Sequence, residues 1–600
     1  HQPNIRRCQY RSAFDLHPNI NLLMNTEIVD VDGFPGNYTV KVRKNPSYVR
    51  MDRCVLCGEC AKVCPVETQD DFNLGMVTRK AIYLPDVTTS TTKYVLNRHE
   101  CPEGCKECER VCQVHAIHLD EQETVFDITA GAIVAATGFQ EYDPKLVEEY
   151  RYGLGGYENV LTQTELGRLL DITGPTNGIL RKKNGDPVKS LIMINCVGSR
   201  STKYNSWCSN ICCMIGLKHA IKVKEAQPDI DVIICYIDIR AVGTEYENYY
   251  IRARDLGVKF VRGRPSSVDS DGINYYVNVE DAAAGKYRSI RTDMVALSMA
   301  MVPSDGVKEL AEKLKIDTTD TGYFETLYSK FRPSETKQAG IFVAGACVSP
   351  ADIPNAVTLA SASASKVSTF LKKDVLTKRF PIAQVNQDLC THCGICITAC
   401  PYGAMKAVQV PNPGIIAQVN EVICMGCGQC VSTCPVSAID IDYYTENQII
   451  KQIMGTLYDA RDSKEPIILA LSCWECAYAT TDFVGQLAIS RPEMRYPHNI
   501  RIVPVQCSGH ISTRLIQKSF ELGADGVLII GCYEDRCHYD TGSQASSIRV
   551  ELMKQMLEQA GIDPRRIEKL CLYTSCADKF VETVKNMTGT LKEIGKLNRI

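Results

Sequence analysis

The chain has no run of about 18 uninterrupted apolar residues, the least that a membrane-crossing helix needs, so no direct membrane span is expected. It has no long block of like charge, and its formal net charge is only −3. Neither a nucleic-acid footprint nor a polybasic membrane patch is therefore expected. Histidine is sparse, with ten scattered residues, and no general acid or base stands out. His392 and His510 sit beside cysteine-rich loops and read as supporting or surface residues. No GxGxxG follows an early strand; "GLGGYEN" at 153–159 lacks a convincing strand before it and reads as a loop. The opening, "HQPNIRRCQY", is neither an export signal nor an initiator methionine, so the chain is expected to be a fragment of a longer polypeptide.

Cysteine is abundant instead: 30 of 600 residues. Disulfide scaffolds of that density are short and secreted. Here the cysteines stand in tight CxxC groups, too close for sensible pairing. The pattern favours metal clusters in a reducing, anaerobic cytoplasm. At 45% hydrophobic and 23% charged residues the chain is otherwise ordinary globular protein, long enough for about three to five domains.

The clearest motif is "CTHCGICITACP" (Cys390, Cys393, Cys396, Cys400), followed by "CMGCGQCVSTCP" (Cys424, Cys427, Cys430, Cys434). Each is CxxCxxCxxxCP, the signature of a bacterial two-cluster ferredoxin. Three thiolates on one short loop cap three corners of a 4Fe–4S cube, with Gly394 and Gly428 easing the turns. The fourth cysteine starts toward the other loop and serves the other cluster. One cluster is thus assigned to Cys390, Cys393, Cys396 and Cys434, the second to Cys424, Cys427, Cys430 and Cys400. Structural zinc is the alternative, but zinc sites use two CxxC pairs rather than duplicated three-plus-one sets. A second module pairs "CVLCGECAKVCP" (Cys54, Cys57, Cys60, Cys64) with "CPEGCKECERVC" (Cys101, Cys105, Cys108, Cys112). Its second half departs from the pattern: the first gap is longer, and Gln113 replaces the proline. Crossed ligation still works, Cys54, Cys57 and Cys60 with Cys112, and Cys101, Cys105 and Cys108 with Cys64; a degenerate second site is the alternative.

Residues 130–375 read as α/β. "GAIVAATGF" (131–139) is a short strand ending in Thr137-Gly138. "GIFVAGACVSPADIPNAVTLASASA" (340–364) is a strand, a Gly-Ala turn and a small-residue helix. "HPNINLLMNTEIVDVDGFPGNYTVKVR" (17–43) reads as a strand and a β-hairpin turning near Gly33 and Gly36. These segments resemble the flavin domain of two-dinucleotide-domain flavoproteins of the thioredoxin reductase type, with the first ferredoxin inserted. The resemblance implies FAD contacts at Thr137, Gly138, Gly345, Ala346, Asp352, Ile353 and Pro354. Ala346 stands where the family has an aspartate. The helix after Pro354 could still face the flavin or its pyrophosphate. The ADP-cradling half is expected upstream of His1 or from another polypeptide.

In the place of that family's nicotinamide domain stands "SLIMINCVGSRSTKYNSWCSNICCMIG". At the turn itself only Gly198 remains, and Cys196, Cys208, Cys212 and Cys213 crowd the turn and the helix after it. Positions four apart share a helix face, so a fifth 4Fe–4S cluster is expected here; a catalytic dithiol and inert buried cysteines are the alternatives. Direct NAD(P)H oxidation at this point is not expected.

Beyond residue 464, apolar strands repeatedly end in cysteine: "PIILALSC" with "WEC" (Cys473, Cys476), "IRIVPVQCSGH" (Cys507), "DGVLIIGCYEDRC" (Cys532, Cys537) and "KLCLYTSC" (Cys571, Cys576). In a parallel sheet those carboxyl ends share one edge, where sites form. Four thiolates suit a 2Fe–2S cluster, with zinc the alternative. Cys476, Cys507, Cys532 and Cys537 are the favoured set, Cys473 close behind.

Together, "CVGSR", "CSNICC", "YIDIRA" (236–241) and "GIFVAGAC…DIPNAV", with the two ferredoxins, resemble the A subunit of heterodisulfide reductase over roughly residues 1–445. "CWEC", "QCSGH" and "GCYEDRCHY" resemble the delta subunit of methyl-viologen-reducing hydrogenase, whose pattern lacks Cys571 and Cys576. The fold class implied is α/β multidomain. It comprises a partial FAD domain (1–47), an inserted two-cluster ferredoxin (48–122), a thioredoxin-reductase-like flavoprotein domain (123–380), a C-terminal two-cluster ferredoxin (381–445) and a small α/β 2Fe–2S domain (446–600). The resemblance implies an electron-bifurcating oxidoreductase component of a methanogenic heterodisulfide reductase complex in the cytoplasm of an anaerobic archaeon. It implies the B and C subunits of heterodisulfide reductase, a hydrogenase or formate dehydrogenase, and ferredoxin as partners, with a homodimer inside the larger complex. A component of a quinone-interacting membrane complex and a flavin-free electron-transfer scaffold are the competing readings.

Overall fold

A computed structural model describes residues 17–85, 93–372, 375, 381–410, 414–458, 463–573 and 575–597. The first sixteen residues of the expected partial FAD domain, including the opening decapeptide, lie outside the described residues. The chain divides into two units, His1–Lys372 and Lys373–Ile600.

In the first unit the hairpin expected near Gly33 and Gly36 forms between Thr26–Phe34 and Asn37–Lys44. Its second strand pairs from Tyr38 to Lys44 with Thr124–Ala130, Lys44 opposite Thr124. Residues 45–123 therefore leave and re-enter at neighbouring strand ends, and the first ferredoxin-like segment is an insertion into a three-stranded antiparallel sheet. That segment carries two one-turn helices, Glu59–Val63 and Glu107–Val111, and packs its cysteines around Val49, Ile82, Leu96, Ile117 and Leu119.

The centre of the unit is a five-stranded parallel sheet in the order Val160–Thr162, Met294–Met299, Ser190–Val197, Asp231–Tyr236, Lys259–Arg262. Met294–Met299 and nearly all of Ser190–Val197 are buried on both faces, as strands covered by helices must be. Cys212–Ala226 packs on one side through Leu217, Ala220, Ile221 and Val223. A separate parallel pair, Ile133–Ala135 with Ile341–Val343, precedes the helix Ile353–Leu371.

The second unit opens with antiparallel pairs Ala383–Val385 with Ile439–Ile441 and Met405–Val410 with Gly414–Val419. They flank the short helices Ile395–Thr398 and Gln429–Thr433. A four-stranded parallel sheet follows, in the order Ile500–Val505, Ile468–Cys473, Gly526–Gly531, Ile567–Cys571. Helices cover both faces, closing two apolar layers, one around Leu469, Leu471 and Ile529, the other around Ile468, Leu528 and Phe580.

Candidate functional site

The paired cysteine motifs cross. Cys390, Cys393 and Cys396 line a recess of about 420 Å³ with Cys434. Cys424, Cys427 and Cys430 line one of about 330 Å³ with Cys400. Cys54, Cys57 and Cys60 line one of about 350 Å³ with Cys112. The remaining set is close enough to interact: Cys101 feels Cys105 and Cys64, and Cys108 feels Cys101 and Cys105, each disfavouring the other's thiolate. Gly58, Gly394 and Gly428 each adopt φ near 80° at the start of a one-turn helix, turning the loop back so that its third cysteine points inward. Three of the four closing cysteines accept a backbone N–H from four residues on: Ala116 to Cys112 at 3.2 Å, Ala404 to Cys400 at 3.3 Å, Ala438 to Cys434 at 3.2 Å. Such donors favour thiolate. Cys64 instead lies 3.7 Å from the Val66 carbonyl as a donor. Burial pushes Cys60 and Cys427 up to about 12 and Cys108 to about 11. These thiols hold their protons until a metal displaces them. Among the described residues, no three His, Cys, Asp or Glu side chains are grouped to hold a single metal ion. Four cysteines around an open recess fit a multi-atom cluster better than a lone zinc.

The Cys196 set also assembles. Cys196, at φ 62°, is the penultimate residue of the strand Ser190–Val197, and Cys212 and Cys213 open the helix Cys212–Ala226. Cys212 faces Cys196, Cys213 and Cys208. Gly198, φ 70°, is forced: a Cβ there would stand 2.8 Å from the Tyr142 ring. Burial raises Cys196, and the Arg200 guanidinium beside it pulls it back. Arg200 is itself paired to Asp238 of "YIDIRA". Sequence reasoning missed this cation because a lone arginine in a loop carries no pattern.

The seven residues expected at FAD cluster around two neighbouring strand ends. Thr137 and Gly138 follow Ile133–Ala135; Gly345 and Ala346 follow Ile341–Val343. The backbones meet where Ala344 N–H donates to Ala135 O at 3.0 Å. Gly138 (φ 72°) has open space where a Cβ would stand, and Gly345 (φ 75°) has only the Ala356 methyl, 3.9 Å away. Asp352 caps the helix Ile353–Leu371 by accepting from Asn355 N–H, with Pro354 in its first turn and Ile353 exposed. An open cradle at carboxyl strand ends beside a helix N-terminus suits a dinucleotide.

In the second unit all five expected cysteines converge. Cys473 touches Cys507 and Cys532; Cys537 touches the same two; Cys476 touches Cys532. The contacts close a ring of Cys473, Cys507, Cys537 and Cys532, with Cys476 attached at one corner. Donation by Cys507 and Cys532 holds Cys473 and Cys537 well below the usual thiol range. Backbone N–H groups of Gly509 and Ser543 add donors to Cys507 and Cys537, each at 3.3 Å. A Cβ on Gly542 would lie 2.5 Å from Cys507 Sγ, so only glycine fits. The ring is built without Cys571, which ends the neighbouring strand, and without Cys576. It abuts the ferredoxin-like segment directly: Tyr402 and Cys427 pack against Cys507 and Tyr539.

Family models match the two ends of this arrangement: "4Fe-4S binding domain" at residues 47–69, "4Fe-4S dicluster domain" at 383–441 and 423–481, and "Methyl-viologen-reducing hydrogenase, delta subunit" at 468–595. The A subunit of the ferredoxin/F420H2-dependent CoB-CoM heterodisulfide reductase of Methanosarcina acetivorans is 36% identical over 97% of this chain and 72% of its own length. The chain belongs to the family of heterodisulfide reductase A subunits. It is an oxidoreductase component. The iron-sulfur A subunit of the CoB–CoM heterodisulfide reductase of Methanocaldococcus jannaschii is 40% identical over 74% of this chain and 67% of its own. A relative from Methanococcus maripaludis, named as the A subunit of an H2/formate:CoB-CoM heterodisulfide,ferredoxin reductase, is 39% identical over 75% and 68%. Among solved structures, thioredoxin reductase of T. acidophilum aligns with 42% of this chain and 68% of itself at 17% identity and TM-score 0.26, too weak a likeness to define the fold. Among the described residues, no helix is long and apolar enough to cross a membrane.

Proposed function

We propose that this chain is the electron-distributing flavin and iron–sulfur subunit of a cytoplasmic heterodisulfide reductase complex. Electron pairs from a hydrogenase, formate dehydrogenase or deazaflavin donor are divided between ferredoxin and the coenzyme M–coenzyme B disulfide. The observation that carries the reading is the packing of the five-cysteine site of the hydrogenase-delta-like region onto the Cys400/Cys424/Cys427/Cys430 recess. Entry of electrons at one end of the chain and their dispersal through cysteine-held centres follow from that contact. Bound FAD supplies two-electron chemistry and bound clusters supply one-electron chemistry.

The chain's own part is to hold and insulate. Crossed sets Cys54/Cys57/Cys60/Cys112, Cys101/Cys105/Cys108/Cys64, Cys390/Cys393/Cys396/Cys434 and Cys424/Cys427/Cys430/Cys400 hold four 4Fe–4S clusters. Cys196, Cys208, Cys212 and Cys213 hold a fifth, with Arg200 lending positive charge. The ring geometry supports Cys473, Cys507, Cys532 and Cys537 as the 2Fe–2S ligands and Cys476 as the spare. Thr137, Gly138, Gly345, Ala346 and the Asp352–Pro354 cap leave room for the flavin. The B and C subunits on the disulfide branch complete the assembly, which is read as containing two copies of this chain.

Anaerobic purification of the full complex tests this. The expected result is FAD, at least about 22 iron atoms per copy of this chain, and donor oxidation that proceeds fully only with ferredoxin and the disulfide both present. A full iron complement without flavin would establish a one-electron scaffold instead. A copurifying membrane protein that carries haem would establish a quinone-linked complex.

A further inference from the structure

His510 lies three residues beyond Cys507, in the turn Ser508–His510. Its side chain is buried, and neither Nδ1 nor Nε2 has a hydrogen-bond partner. A buried imidazole with both nitrogens unpartnered costs roughly 1–3 kcal/mol unless something satisfies it. The ring is pressed on the opposing cysteine loop: a Cβ built on Gly428 would sit 2.5 Å from His510 Cγ and 2.8 Å from Cδ2. Gly428 stands between Cys427 and Cys430.

The turn is clamped from both sides, so this placement is not incidental. The Gly509 carbonyl accepts from Ser432 Oγ at 2.8 Å, on the cysteine-loop side, and from Arg549 Nη2 at 2.6 Å, on the sheet side. Gly509 itself is wedged: a Cβ there would meet Gly542 Cα at 2.8 Å and Gln429 Cγ at 2.9 Å. In either protonation state the ring has at least one N–H to give, and no protein acceptor takes it.

We infer that His510 donates a hydrogen bond to a sulfur of the iron–sulfur group held by Cys400, Cys424, Cys427 and Cys430, raising that group's reduction potential as the acceptor for electrons arriving from the Cys507 side. The inference rests on the proposed cluster assignment. Hydrogen bonds to sulfur are among the recognised determinants of cluster potential. Their loss stabilises the oxidised form relative to the reduced.

The test uses the intact complex, reduced in steps and followed by low-temperature EPR, with iron counted in every sample. For His510→Leu we expect unchanged iron and one 4Fe–4S signal shifted to lower potential. Its reduced-to-oxidised ratio at the wild-type midpoint should fall about fivefold, the size of one net hydrogen bond. His510→Asn, which keeps a donor, should recover part of the shift. In protein with ¹⁵N-labelled histidine, a weak nitrogen coupling on the same signal should vanish in His510→Leu. Unshifted signals in both variants, or a shift confined to the 2Fe–2S signal, would overturn the inference. Missing cluster signals in the unsubstituted complex would overturn the cluster assignment instead.

Discussion

His219 shows how a single buried residue sets an acid limit. Its Nδ1–H donates to Gln163 Oε1 at 2.7 Å within the helix–sheet core, and burial, with Lys218 and Lys222 adding repulsion, lowers it to about 3. Below pH 6.5 the unfolded chain takes up a proton that the folded chain refuses. Folded stability therefore falls as pH drops from about 6.5 toward about 3, by roughly 3–5 kcal/mol at the limit. His219→Gln should flatten this acid limb in urea titrations at graded pH; an equally steep limb would show that other groups govern it. The closing cysteines are a second case. Cys434→Ser should empty the recess of Cys390, Cys393 and Cys396 and cost about four iron atoms, leaving the adjoining loop's cluster signal in place. Loss of that adjoining signal instead would refute the crossing. The cysteines were legible because cluster chemistry demands fixed spacing. His510 was legible only as a supporting or surface residue beside a cysteine-rich loop, and Arg200 and Arg549 were not legible, since nothing in a lone histidine or arginine announces which loop will fold over it.

Among the elements, strands ending in cysteine were the most readable, because a run such as "ILALSC" can be buried on both faces only in a covered parallel sheet. The order of those strands was not readable: Ile468–Cys473 lies between Ile500–Val505 and Gly526–Gly531, and it is this central place that closes Cys473 into the thiol ring. The favoured ligand set of the sequence reading had Cys476 in its stead. Reconstituting Cys473→Ser and Cys476→Ser chains should separate the two, with the 2Fe–2S signal lost in the first and kept in the second; the reverse would restore the sequence reading. Gly542 was equally silent in sequence. Gly542→Ala places a methyl 2.5 Å from Cys507 Sγ and should abolish the same signal while the ferredoxin signals persist.

On the scale of the whole molecule, the chain combines cysteine-rich loops with two parallel sheets; composition announced the clusters, and the strand patterns of 130–375 and beyond 464 announced the sheets. The two open glycines beside Asp352 needed the fold, since Gly138 and Gly345 are over 200 positions apart and only the pairing of Ile133–Ala135 with Ile341–Val343 brings them together. The pairing of Lys44 with Thr124 bears on how this architecture was assembled. Both crossings of the inserted segment fall on paired residues of one antiparallel ladder, so the segment is a cassette plugged into a single socket. It touches the parallel-sheet region through two hydrogen bonds from Arg168 to Asn73 Oδ1, the stacking of that arginine on Phe72 and the packing of Met76 on the helix–sheet core. Replacing residues 45–123 by a two-residue Asn-Gly turn should leave a folded chain short of about eight iron atoms. An electron relay could thus be gained or shed by this lineage in one genetic step, without redrawing the sheet that carries it.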